Sequence, residues 1–140
     1  MPQNAVTPIK PKLPESEKIT LNMGFIDLGN VDLLVAEGFY SNRSDFIRTA
    51  IRNQLSTHGE ILKQVVARKT LVLGLQHFSL QDLEAVRAAG ERLSIRVLGM
   101  ASIDPAVTAE LALATIESIT VLGALHASPA VKAALSDRIH

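Results

Sequence analysis

Residues 18–55 read KITLNMGFIDLGNVDLLVAEGFYSNRSDFIRTAIRNQL, and this stretch decides the fold. It opens with Lys18-Ile19-Thr20-Leu21-Asn22-Met23, which alternates polar and apolar residues without a break. A period of two sends Ile19, Leu21 and Met23 to one face of a strand and Lys18, Thr20 and Asn22 to the other. One short strand cannot stand alone, because its backbone groups and its apolar face both need partners. The nearby sequence offers no hairpin mate. The simplest partner is the same strand of a second copy, paired antiparallel about a two-fold axis. Alternation alone also fits an ordinary solvent-facing strand, so the segments that follow carry the reading.

Phe25, Ile26, Leu28, Val31, Leu34 and Val35 recur at helical spacing, with Asp27, Asp32 and Glu37 on the wetter side. Asp27 is the candidate N-cap. Gly29 weakens this helix by about 1 kcal/mol relative to alanine. Gly38 is placed to end it in the left-handed conformation, with Phe39 folding back onto the last turn. Ser41 or Asn42 then caps a second helix, and Asp45 supplies a first-turn carboxylate. Phe46, Ile47, Ala50, Ile51 and Leu55 form the stripe this helix is expected to bury. Arg48 and Arg52, four apart on an outer face, read as partners for Asp45 or for a dimer mate.

Gly38-Phe39-Tyr40-Ser41-Asn42-Arg43-Ser44-Asp45-Phe46-Ile47-Arg48-Thr49-Ala50-Ile51-Arg52 resembles, nearly position for position, the turn and second helix of the ribbon-helix-helix DNA-binding domain of the CopG and Arc repressor class. The resemblance covers residues 18–55. It implies an intertwined homodimer whose two-stranded ribbon enters the major groove of double-stranded DNA. Lys18, Thr20 and Asn22 would then be the base-reading residues. Their chemistry suits that role, since Asn holds adenine through two hydrogen bonds, Lys reaches guanine acceptors, and Thr offers a hydroxyl and a methyl group. The resemblance also implies that the start of the second helix docks on a DNA phosphate. Free N–H groups and the positive end of the helix dipole attract an anion there, with Ser41, Asn42, Arg43 and Ser44 beside them. A plain helix cap is compatible with that role.

The totals limit other classes. The chain has 140 residues and no cysteine, which excludes a disulfide scaffold or a cysteine-rich metal site. No secretory signal and no bilayer-length apolar run is present, so a cytoplasmic protein with no membrane partner is expected. Tryptophan is absent, which disfavours aromatic stacking on single strands. The net charge is zero, but residues 1–69 carry 9 basic and 7 acidic side chains, and residues 70–140 carry 5 and 7. A local basic surface and modest non-specific affinity follow. Residues 1–17, with Pro2, Pro8, Pro11 and Pro14, read as an extended or disordered arm. Its Lys10 and Lys12 are candidate phosphate contacts.

Beyond a helical linker at residues 58–69, which continues the second helix or breaks near Gly59, the C-terminal half repeats itself. Val72-Leu73-Gly74, Val97-Leu98-Gly99 and Val121-Leu122-Gly123 recur with their glycines 25 and 24 residues apart. Each ends a β-prone run, at 70–73, 93–98 and 116–122, and each precedes a helix start. Ser79 caps the first helix, Asp104-Pro105 opens a second at 106–114, and Ser128-Pro129 opens a third at 130–135. A period in the twenties matches leucine-rich solenoids in length only, since the asparagine ladder is missing. Stacked units would make a short parallel sheet with helices on one side. A compact α/β module closed by dimerisation is the alternative.

The expected fold is therefore α+β: an arm at 1–17, a ribbon-helix-helix at 18–57, a linker at 58–69, and a module of three strand–turn–helix repeats at 70–140. His77 and His126 follow the first and third glycines and would be neighbours in a stack, but two imidazoles are too few for a metal site. No cofactor is expected. No nucleophile motif, phosphate loop or carboxylate pair points to an enzyme, and the three glycines read as strand-end residues. The expected function is a bacterial transcriptional regulator, a repressor by preference, acting as a homodimer or a dimer of dimers. The alternative is an antitoxin that autoregulates through the same fold. Residues 70–140 are expected to serve oligomerisation or a protein partner, with a small effector pocket as second choice.

Overall fold

The computed structural model describes residues 16–140. Lys10 and Lys12 of the arm lie outside the described residues. The described residues divide into two compact units, one ending at Arg43 and the other covering Ser44–His140.

In the first unit, residues 17–24 lead into helix α1, Phe25–Ala36. Its N-cap is Gly24, with no side-chain cap bond, and Asp27 sits inside the first turn. Asp27 is thus not the cap that the sequence suggested: the helix begins at Phe25, which places the carboxylate near the positive end of the dipole instead. The helix runs through Gly29. Its end follows the expected device. The Gly38 N–H bonds the Val35 carbonyl at 3.1 Å, the Phe39 N–H bonds the Leu34 carbonyl at 3.0 Å, and Gly38 has a φ of 84°. These two bonds satisfy carbonyls that the helix end would otherwise orphan.

Helix α2, Arg43–Thr57, lies in the second unit apart from its first residue, and α3, Gly59–Arg68, follows after one irregular residue, His58. Three strands then alternate with three helices: β1 Val72–Phe78, α4 Leu80–Ala88, β2 Leu93–Ile103, α5 Ala109–Thr115, β3 Ile116–His126 and α6 Pro129–Ala134. The strands form one parallel sheet in the order β1-β2-β3. Ile95, Val97, Ala101 and Ile103 of β2 and Ile119 of β3 bury one face against Leu83, Leu111, Ala112, Val131 and Leu135 of the helices. Each large apolar side chain fully withdrawn from water contributes roughly 1.5–3 kcal/mol. Along the outer edge of β3, Ile119 exchanges backbone hydrogen bonds with Arg138 and His140, both 2.8 Å. That pairing covers part of an edge that would otherwise expose unpaired backbone groups.

Two sequence expectations give way to the structure. The three glycines do not end their strands. Gly74, Gly99 and Gly123 pair in one register row, with φ of 117°, 139° and 121°, and each strand continues for several residues beyond its glycine. A side chain at Gly99 would land on the Gly74 carbonyl oxygen, and one at Gly123 on that of Gly99. The recurrence in the sequence reflects three neighbouring strands whose backbones approach closely at one level, where only glycine fits. The second correction concerns α5, which starts at Ala109 under a Thr108 cap. Asp104 instead accepts from the Ala106 N–H through its carboxylate at 2.9 Å and from the Val107 N–H through its carbonyl at 3.0 Å. An aspartate that closes its own turn competes with helix initiation. Ser79 and Ser128 do cap α4 and α6, and Pro129 stands at the start of α6.

Thr70 terminates α3 with the same pair of bonds that ends α1, at a φ of 52°. A β-branched residue in that conformation is strained by roughly 1–2 kcal/mol. Glycine relieves the strain but adds freedom to the unfolded chain. Thr70→Gly is therefore expected to raise stability by up to about 1 kcal/mol, read as a higher urea midpoint with an unchanged slope. A lower midpoint contradicts this account of the turn.

Candidate nucleic-acid interface

Lys18, Thr20 and Asn22 are all exposed. Between them Ile19 is 85% exposed, Leu21 is also exposed, and Met23 is half-buried. Among the described residues, 18–23 form no hydrogen-bonded strand. An alternating segment with an apolar face open to water has neither of the partners a strand requires. On α1, Phe25 is 92% exposed and Ile26 and Leu33 are exposed, while Val31 is buried. On α2 no residue is buried: Phe46 and Ile47 are half-buried, and Ala50, Ile51 and Leu55 are exposed. The stripe read from the sequence is present as a pattern but is not closed within one chain. Exposed apolar side chains at this density mark a surface that another surface covers.

Ser41 and Asn42 precede α2, and Arg43 and Ser44 open it; all four are exposed. The first-turn N–H groups of a helix lack intrahelical acceptors, so an anion is favoured at this end. Asp45 in the same turn adds a negative charge that a bound phosphate would feel.

Arg43 has a partner that the sequence did not suggest. Its Nε donates to Asp32 Oδ1 at 2.7 Å and a terminal nitrogen donates to Oδ2 at 2.8 Å. This two-pronged geometry matches the planar guanidinium to the carboxylate. The hydrogen bonds from Arg43 hold the Asp32 carboxyl below its ordinary range, with the arginine's charge acting in the same direction and desolvation opposing. The pair spans eleven residues and has no local spacing signal. A lowered carboxyl adds stability that is present above its unfolded pKa and lost as pH falls through the folded one. The advantage of wild type over Asp32→Asn should therefore be full at neutral pH and fade below the usual carboxylate range. Urea midpoints measured against pH check this; parallel curves throughout would contradict it. Both side chains are about half exposed, so salt should shrink the difference.

The histidines are placed differently from the sequence expectation. His77 and His126 share one register row but are separated by Ser102 of the middle strand. His77 Nδ1 and Ser102 Oγ lie 2.5 Å apart, which satisfies the buried hydroxyl. Among the described residues no group of three or more His, Asp or Glu side chains is arranged to hold a metal ion, and no helix is long and apolar enough to cross a membrane.

Compared with known protein families, residues 14–132 match the Ribbon-Helix-Helix transcriptional regulator family. The chain belongs to this family. As a ribbon-helix-helix protein it is a DNA-binding transcriptional regulator of a family that dimerises. The match runs well past residue 55 and takes in all three strands of the sheet. No curated protein and no solved structure matches the chain significantly.

Proposed function

We propose that this ribbon-helix-helix protein is a repressor that binds operator DNA as a homodimer in the bacterial cytoplasm. Residues 18–23 of two copies pair antiparallel into a ribbon. Ile19, Leu21 and Met23 close the dimer beneath it, and Lys18, Thr20 and Asn22 face the base edges in the major groove. The α2 start, at Ser41, Asn42, Arg43 and Ser44, grips a phosphate on each side, with two donors of Arg43 already held by Asp32. Lys10 and Lys12 are proposed to lie along the backbone phosphates. Two such dimers on neighbouring half-sites would give the dimer of dimers.

The observation that carries this reading is the exposure of Ile19 and Leu21 beside three polar residues of base-reading type. Within one chain those apolar side chains are a liability; in a shared ribbon they are its floor. A regulator is favoured over an antitoxin by the C-terminal half, which has a buried core of its own instead of a polar tail awaiting a toxin.

Asn22→Ala is expected to cost about 1–3 kcal/mol at one base position and to relax preference there, because a bidentate partner is lost. Lys10→Ala, at a proposed phosphate contact, should instead lower the salt dependence of binding by about one counterion. Selection of bound duplexes from a random pool checks the first, and titration at several salt concentrations checks the second. Unchanged base preference in Asn22→Ala argues against base reading by the ribbon.

A further inference from the structure

The sheet has a second face, turned away from α4, α5 and α6. Register places Leu73, Leu98 and Leu122 in one row across it, and Leu75, Met100 and Ala124 in another. Leu73, Leu75 and Leu122 are 65%, 71% and 51% exposed. This apolar band has a polar row on either side: His77, Ser102 and His126 beyond it, and Arg96 with Thr120 before it. An apolar centre inside a polar border is the anatomy of a protein interface.

We propose that this face packs against the same face of the other subunit of the ribbon-linked dimer. Three features favour a second copy as the occupant. First, the face is continuous with α2, a helix of the ribbon-helix-helix reading proposed above. An open groove of about 820 Å³ lined by Leu55 of α2, Leu62 and Val66 of α3, and Leu71, Leu73 and Leu98 joins the two. Leu55 and the exposed Ile51 lie one turn apart on α2.

Second, the rows are self-complementary. A two-fold axis near Leu98 on the middle strand sets that residue opposite its own copy and Leu73 opposite the mate's Leu122. Two sheets then pack face to face at about 10 Å. Third, the area suits a tethered contact. Three exposed leucines fall short of the roughly 800 Å² per partner that a free-standing interface buries. Two copies already joined by a ribbon meet at high effective concentration and need less. The inference therefore rests on the ribbon dimer and adds a second seam to it.

The absence of native cysteine makes a direct test simple. A disulfide is too short for two sheets at packing distance, so a short bismaleimide is the reagent. Leu98→Cys in the full chain should give a covalent dimer at least about tenfold faster than Glu84→Cys on α4, with a yield independent of protein concentration. Mixed dimers of Leu73→Cys chains with Leu122→Cys chains should do the same from exposed positions if Leu98→Cys perturbs packing. Sedimentation without reagent is run in parallel. A dimer that cross-links no better than the control overturns the inference and leaves the ribbon intact. So does a yield that rises with concentration, which would place the contact between dimers. An uncross-linked dimer whose face binds anilinonaphthalene sulfonate would mark a ligand surface and also overturns it. A monomer in sedimentation removes both the ribbon and the seam.

Discussion

Gly99→Ala is expected to lower the unfolding free energy by more than about 3 kcal/mol, enough to unfold much of a marginally stable chain. Two costs combine. At a φ of 139° an alanine is strained by roughly 1–3 kcal/mol. Its methyl group would also overlap the carbonyl oxygen of Gly74, which is backbone inside a hydrogen-bonded ladder and cannot rotate aside. Relief requires β1 and β2 to separate at that level. Gly123→Ala meets the Gly99 carbonyl in the same way and should be equally damaging.

Gly74→Ala is the informative comparison. It shares the unusual φ, 117°, but a methyl group there meets nothing within 4 Å. Only the strain remains, so the loss should be roughly 1–3 kcal/mol. Urea unfolding of the three variants separates the two costs. Equal losses at all three positions would mean that strand approach plays no part and conformation alone explains the glycines.

The second large effect concerns Leu21. Leu21→Lys is expected to convert the dimer to a monomer and to weaken specific DNA binding by at least about 10³-fold, since half a ribbon cannot be held in the groove. A lysine on the floor of the ribbon would face its own copy as a like charge stripped of water. The sheet has its own core and should survive, so near-unchanged circular dichroism of β1 to β3 is part of the expected result. A Leu21→Lys protein that still sediments as a dimer and still binds DNA would show that residues 18–23 do not close the dimer.

Much of this fold is legible in the sequence, and what is not has a physical cause. Helices α1 and α2 and the Gly38 stop can be read because each rests on local rules: apolar period and left-handed terminus. The repeat of Val-Leu-Gly announces three strands. Its meaning is easily mistaken, because a glycine after a β-prone run looks like an ending. Only the register, with Gly74, Gly99 and Gly123 side by side, reveals a shared close approach of the strands. The Leu of each triplet holds a further signal. Valine and leucine side by side put apolar groups on both faces of a strand. The Asp32–Arg43 fork is out of reach, because nothing in a spacing of eleven residues tells which carboxylate a helix-start arginine will find. The same holds for Asp104, whose side chain bonds its own turn rather than starting α5.

If two copies complete one sheet from residues 18–23, the backbone amides of that segment must alternate between bonded and free. Amide hydrogen exchange on the wild-type protein, followed residue by residue from Lys18 to Met23, tests this most directly. Protection is predicted at alternate amides, as an antiparallel ladder requires, lost on dilution to monomer and in Leu21→Lys. Uniformly fast exchange across the segment in a protein that sediments as a dimer would contradict the shared ribbon.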